Sequence, residues 1–213
     1  METTFKPDLD DRIIQLSKEN IEGVIDVFLE EQKSKMGRKW LKKYFMWFAD
    51  HSNCVALVAE QGNKVVGYCI FAPLRYNQQL YRDIALTTIR TYVTRPWILL
   101  NKNMIQRIQH VILSRVHPNR TPYGSLDTYK IDELPQPIML ALRMYVSIQA
   151  RNRGFGFQLV RTSIEQAQHM NVYKTIVGWI LENNVASNRI FQKLGFHIDG
   201  RDGAYNIVCK AIE

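Results

Sequence analysis

The spacing of apolar residues predicts an α/β domain with a mixed, mostly antiparallel sheet, and three stretches carry that expectation. The first is a hairpin. Cys54 to Glu60 and Val65 to Phe71 are apolar runs joined by the tight turn Gln61-Gly62-Asn63-Lys64. The second is an apolar strand, Ile138 to Val146, that leads into Arg151-Asn152-Arg153-Gly154-Phe155-Gly156. A helix follows it, with Leu159, Val160, Ile164 and Ala167 at helical spacing. The third is a closing hairpin, Phe196 to Ile198 and Tyr205 to Ala211, around Asp199-Gly200-Arg201-Asp202-Gly203.

The remaining elements fall into place in order. Asp11 to Leu16 reads as a first strand, with Ser17 available to cap the helix that follows. That helix places Ile21, Val24, Ile25, Phe28 and Leu29 on one face. After Gly37 a second helix runs from Lys39 to Ala49 with Trp40, Leu41, Tyr44, Phe45 and Phe48 inward, an aromatic stripe that suits a core. Pro73 closes the hairpin. Tyr76 to Thr94 and Trp97 to Val116 each have a helical pattern, Pro96 suiting the first turn of the second, and His117 to Asp132 has loop composition. The helix Phe157 to His169 leads to a buried strand, Lys174 to Leu181, and Val185 to Lys193 is a short helix.

With 213 residues, 46% hydrophobic and 23% charged, the chain suits one globular domain spanning 1–213. A chain of this length buries about 70% of its unfolded surface. Its opening residues are polar and mixed in charge, and no run of 18 apolar residues occurs, so neither a leader nor a membrane span is expected. Cys54, Cys69 and Cys209 sit in separate strand-like runs and read as buried free thiols of a reducing, cytoplasmic setting, with no metal site. The net charge of +8 is concentrated. Arg75, Arg82, Arg90, Arg95, Lys102, Arg107, Arg115 and Arg120 face one acid, Asp83, so the stretch from 75 to 120 holds +7.

The turn after Val146 has the chemistry of a phosphate cradle. Gly154 and Gly156 remove side chains that would keep an anion from the backbone, and the N–H groups of the new helix's first turn point towards it. Arg151 and Arg153 add charge-assisted donors. Arg-x-x-Gly-x-Gly after a strand ending in Val resembles the acetyl-CoA pyrophosphate loop of the GNAT superfamily of N-acetyltransferases. About thirty residues on, Glu182-Asn183-Asn184 to Leu194-Gly195-Phe196 resembles that superfamily's second signature: an Asn ending a strand, a short helix, then Leu-Gly-Phe.

The resemblance implies a sheet with helices on both faces, splayed where the pantetheine arm of acetyl-CoA lies. Tyr145, Val146 and Ile148 would line the arm, and Arg151, Asn152, Arg153, Gly154, Phe155, Gly156 and Phe157 would hold the pyrophosphate. Asn184 and Phe191 would approach the arm, and Lys193 could reach the phosphates. Asn184 also suits a helix N-cap, and Ser187, Asn188 and Arg189 suit the helix surface. Direct attack of an acceptor amine on the thioester needs no enzyme nucleophile. Two groups common in the superfamily are replaced: the position of the usual Glu holds Leu140, and that of the usual Tyr holds Phe191, which cannot donate a proton. Tyr145, Ser147, Glu60 and Glu182 are the candidates left for acid–base work. The roughly sixty residues before Ile138 form a basic helical insertion, about 75–135, where a minimal domain of this kind has a short turn.

The expected activity is transfer of an acetyl group from acetyl-CoA to a primary amine of a small molecule, such as an amino sugar or nucleotide sugar, by a monomer or homodimer. A protein N-terminus or Lys acceptor stays open, as does a module that holds acyl-CoA without turnover. The basic insertion could instead meet a membrane surface or nucleic acid; against nucleic acid, its charges alternate with an apolar stripe and lack clustered aromatic platforms.

Overall fold

The computed structural model describes residues 11–32, 36–94 and 131–212. Its elements, in chain order, are β1 (Asp11–Gln15), α1 (Ile21–Glu31), α2 (Arg38–Asp50), β2 (Val55–Gln61), β3 (Lys64–Pro73) and α3 (Tyr76–Thr94). There follow β4 (Ile138–Val146), α4 (Phe155–His169), β5 (Thr175–Leu181), α5 (Val185–Lys193), β6 (His197–Asp202) and β7 (Tyr205–Ala211). The expected helix from Trp97 to Val116, most of the loop after it, and Arg95, Lys102, Arg107, Arg115 and Arg120 lie outside the described residues.

The strands form one seven-stranded sheet in the order β1-β2-β3-β4-β5-β7-β6. Only β4 and β5 run parallel; every other neighbouring pair is antiparallel. Each face carries its own core. On one side α1, α2 and α3 pack Ile21, Val24, Ile25, Phe45, Phe48 and Leu80 against the sheet. On the other, α4 and α5 pack Phe155, Leu159, Val160, Ile164 and Phe191. Ile25 is fully buried, so truncation to Ala should cost about 2–5 kcal/mol.

The structure moves several expected boundaries. The start of α1 is held by Asn20, not Ser17. Asn20 Oδ1 accepts from the Ser17 N–H at 2.9 Å and Nδ2 donates to the Gln15 carbonyl at 2.9 Å, which fixes the strand-to-helix corner from inside. α4 begins at Phe155, two residues before the apolar period suggests. Gly154, at φ +84°, takes the left-handed N-cap turn and the Phe155 ring drops into the core. The closing hairpin is tighter than its Gly and Asp content suggests, since β6 continues to Asp202 and pairs with Tyr205.

One irregularity positions the site. Ile70 of β3 faces Arg143, but the next residue, Phe71, faces Ala141, so Leu142 is an extra residue in β4. Such a bulge shifts the side-chain alternation by one. Leu140 and Leu142 pack on the α1 side, and beyond the bulge so does Tyr145; Met139, Ala141, Met144 and Val146 pack on the α4 side. Arg143 is thereby delivered to α1, with its guanidinium carbon 5.1 Å from the centre of the Phe28 ring.

Candidate functional site

β4 and β5 pair only from Ile138–Thr175 to Ala141–Gly178. Beyond that rung each strand follows its other neighbour: β4 stays on β3 as far as Val146–Gly67, and β5 stays on β7 as far as Leu181–Tyr205. The crotch of the fork is made of small residues. A Cβ added to Gly178 would sit 3.4 Å from Cβ of Ala141 and 3.4 Å from a Val208 methyl. A cavity of about 670 Å³ occupies the fork. Met144, Asn184, Ser187 and Phe191 line it from the α4–α5 side, and Glu31, Leu142 and Arg143 from the α1 side. The cavity therefore reaches through the sheet.

At the end of β4 the chain turns through a short 3-10 helix, Ile148–Ala150, to Gly154 and α4. The first bond of α4 runs from the Gln158 N–H to the Gly154 carbonyl at 3.0 Å, so the amides of Gly156 and Phe157 precede the helical ladder, as helix geometry requires. Asn152, at φ +64°, and Gly154 both take left-handed turns. Gly156 has a packing duty. A Cβ there would come within 3.1 Å of Ile190 Cδ1 and 3.5 Å of Met144 Sδ, so its bareness lets α4 and α5 close on β4. Arg151 and Arg153 are exposed at this turn. The loop, the unpaired edge of residues 142–146 and the cavity together fit a diphosphate with an extended arm.

Glu30 ties this turn to α1. Its carboxylate accepts from the Ile148 N–H at 2.9 Å, from Ser147 Oγ at 2.8 Å and from the Tyr145 hydroxyl at 3.4 Å. These bonds, led by the Ile148 amide, hold Glu30 below the usual carboxylate range. Arg151 lies with its guanidinium carbon 5.4 Å from the Tyr145 ring centre and donates to the Val146 carbonyl at 3.2 Å. Burial, with Glu30 adding to it, pushes the Tyr145 phenol up.

The next residue of α1, Glu31, faces the cavity. Its Oε2 accepts from the Tyr68 hydroxyl at 2.6 Å and from Arg143 Nη1 at 3.3 Å. Tyr68 is 1% exposed, and burial drives its phenol far up, so it stays a donor. Burial works against the charge of Arg143, yet Tyr68, Tyr44 and Glu31 more than hold it, and the net shift is upward.

Of the expected arm and phosphate contacts, Phe191 and Asn184 line the cavity, whereas Tyr145, Val146, Ile148 and residues 151–157 do not; the last form the turn between β4 and α4. Phe155 contributes only backbone there, because its ring is buried. The Ile148 N–H is already taken by Glu30, and the Val146 carbonyl by Arg151. Asn184 does cap α5, its side chain accepting from the Ser187 N–H at 3.1 Å. Lys193 is exposed at the far end of α5. Phe191 packs edge-on against Phe196, ring centres 4.8 Å apart.

The acid–base candidates do not converge. Glu60 is buried in an ion pair with Arg12 at 2.8 Å, Glu182 pairs with Arg201 at 3.2 Å, and Tyr145 and Ser147 are turned to Glu30. Leu140 is buried core. Sequence reasoning missed Glu31, Tyr68 and Arg143, which meet only in the folded chain. It also put Asn188 on the helix surface. Its Nδ2 instead donates to the Leu181 and Asn184 carbonyls, each at 2.9 Å, and its Oδ1 accepts from Asn206 at 3.1 Å, bracing the β5 edge of the fork.

Cys54, Cys69 and Cys209 are buried and free, and burial pushes the Cys54 and Cys69 thiols up to about 12, so neither is a nucleophile near neutral pH. Among the described residues no group of three His, Cys, Asp or Glu side chains could hold a metal ion, and no helix is long and apolar enough to cross a membrane.

A sheet forked between its two parallel strands, with a glycine turn at the head of the following helix, agrees with the resemblance to acetyl-CoA-dependent transferases. The acetyltransferase (GNAT) family model matches residues 21–196, and the chain belongs to that family. It is an N-acetyltransferase that uses acetyl-CoA. Solved structures share the fold at low identity. A GNAT acetyltransferase from Streptococcus pneumoniae matches with a TM-score of 0.59 and 14% identity, covering 95% of this chain and 99% of that one. The PaiA N-acetyltransferase of Thermoplasma acidophilum, solved with coenzyme A, gives 0.55 and 12%, covering 95% and 99%. An N-acetyltransferase of Staphylococcus aureus gives 0.56 and 14%, covering 95% and 98%. No curated protein sequence matches.

Proposed function

We propose that this enzyme acetylates a primary amine of a small molecule by direct attack in a ternary complex, with an amino sugar or its nucleotide conjugate as acceptor. The observation that carries this is the cavity in the β4–β5 fork, lined by Met144, Asn184 and Phe191 on one face and by Glu31 and Arg143 on the other. The diphosphate would rest on the amides of 154–157, with Arg151 and Arg153 beside it, and the arm would run along residues 142–146 past Asn184 and Phe191. Bound acetyl-CoA supplies the activated carbonyl. The chain supplies the groove, excludes water with Phe191, Leu142 and Ile180, and presents the acceptor from the α1 side.

The basic stretch 75–135 is read as an insertion in a single domain that serves acceptor recognition. Its first helix, α3, packs on α2 through bonds from Trp40 Nε1 to Thr88 Oγ1 at 3.0 Å and from Trp47 Nε1 to Asp83 Oδ2 at 2.9 Å. It therefore stands on the same side of the sheet as Glu31, where its cations would draw in a phosphate-bearing acceptor. The test is release of free CoA with glucosamine, a UDP-amino sugar, putrescine and a Lys peptide as acceptors. Turnover with the sugars is expected. Preference for the Lys peptide would overturn the small-molecule assignment.

A further inference from the structure

We propose that Glu31 is the residue that receives the acceptor's ammonium group and takes its proton, with Tyr68 and Arg143 as positioning residues. The inference rests on the acetyl transfer proposed above and assigns that site its acceptor end.

Four observations carry it. Glu31 lines the cavity in the fork, on the face opposite Asn184 and Phe191. Both of its bonds fall on one oxygen: the Tyr68 hydroxyl at 2.6 Å and Arg143 Nη1 at 3.3 Å both go to Oε2. No described residue donates to Oε1, so that oxygen keeps its lone pairs for a ligand. Finally, the donors are rigid. Tyr68 is buried in the middle of β3, and Arg143 is aimed at α1 by the β4 bulge and lies over Phe28.

A carboxylate fixed through one oxygen in the lining of a cavity is suited to hold a compact cationic donor. An ammonium brings a positive charge to that hydrogen bond, which a neutral hydroxyl lacks. The adjacent Arg143 balances its charge, so a polycationic acceptor gains less here than an amine on a neutral or anionic body. Other ionisable groups near this end are Tyr44 of α2, acting on Arg143, and Asp202 and Tyr205 of the β6–β7 turn; Glu30 is turned away to Ile148.

The step balances as follows. The ammonium gives one proton to Glu31 Oε1, and the freed lone pair forms the C–N bond at the thioester carbonyl. The C–S bond breaks, its electrons leave on the CoA sulfur, and the second proton lost by nitrogen goes to that sulfur. Glu31 returns its proton to solvent. Acid–base help of this kind contributes about a hundredfold or more.

The experiment compares wild type, Glu31→Gln and Tyr68→Phe, with the amines of the panel and with acetyl-CoA binding measured by calorimetry. Glu31→Gln keeps an acceptor for Tyr68. It should leave acetyl-CoA affinity unchanged and lower kcat/KM at pH 7 about a hundredfold. The deficit should shrink as pH approaches the amine's own pKa, because a neutral amine needs no proton acceptor. Tyr68→Phe, which loosens Glu31 without removing it, should lower kcat about tenfold and keep the wild-type pH profile. Full activity in Glu31→Gln, or a deficit constant with pH, overturns the proposal while leaving the acetyl transfer standing.

If wild type acetylates no panel amine, the transfer to small amines fails instead. Glu31 is then judged by binding alone, from the carbon-13 carboxyl resonance of Glu31 in the CoA-saturated protein titrated with methylammonium chloride against sodium chloride. A shift specific to methylammonium supports the ammonium site. No shift overturns it.

Discussion

On the α4 side of the sheet, beside the side chains of Met144, Asn184 and Phe191, the chain next to the fork offers main chain: the left-handed turn at Gly154, the amides that open α4, and the unpaired edge of residues 142–146. On the α1 side it is framed by side chains, Glu31, Tyr68 and Arg143, drawn from two strands and a helix and separated in sequence by 37 and 112 positions from Glu31. A site made of backbone is written in a few adjacent residues, because glycine spacing and a helix start are local properties. A site made of side chains is written in the whole fold. The first half suits a ligand part shared by many enzymes, and the second suits one that varies.

The largest effect should come from breaking the backbone half. In Gly156→Asp a Cβ must enter a space where Ile190 stands 3.1 Å away, and a carboxylate is brought to the diphosphate site. Acetyl-CoA affinity by calorimetry should fall more than a hundredfold, above about 2.7 kcal/mol. Unchanged affinity in a folded variant would move the cradle elsewhere.

That asymmetry explains what could be read in advance. The glycine turn, the Asn184 cap and the hairpins are legible in consecutive residues, and with them the fold and the family. Arg143 did not. Its strand reads as an apolar run in which Arg143 is the one charged residue, and only the extra residue at Leu142 turns it to α1. In the sequence Glu31 is one of several acids, with nothing local to single it out. Its meaning depends on Tyr68, buried on a strand whose pattern says only that it is core. Asn188 was misplaced for the same reason, since a short amphipathic helix does not show which polar residue bridges two strands.

The side-chain half is expected to respond in the acceptor's kinetics and not in the cofactor's binding. Reversing Arg90, Arg95 and Arg107 to Glu should raise the acceptor KM about tenfold and flatten its salt dependence, with acetyl-CoA affinity untouched. A KM that does not move, or a loss of cofactor binding, would make the insertion a structural support.

Phe191 stands where the two halves meet. It is 5% exposed and braced by Phe196, so Phe191→Tyr should change kcat by less than about tenfold, roughly 1.4 kcal/mol in barrier. A loss beyond a hundredfold in a folded variant would show that the ring's packing sets the thioester.

The smallest effect is at the junction of α1 with the turn. Glu30 is held below its ordinary value of 4.5 by the Ile148 amide and by Ser147. A depressed folded pKa stabilises the protein above the unfolded value and loses that stability as pH falls through the folded one. The advantage of wild type over Glu30→Gln in thermal melts should therefore be present at pH 6 and decline as pH falls below 4.5 and through the lowered folded value. An advantage that persists in acid would mean the carboxylate bonds do not hold the turn.

A crystal structure with acetyl-CoA tests the central claim most directly. The account predicts the diphosphate on the amides of 154–157, the arm beside residues 142–146, and the thioester carbonyl emerging on the α1 face towards Glu31. A cofactor lying outside the β4–β5 fork, or one whose thioester stays on the α4 side out of reach of Glu31, would contradict it.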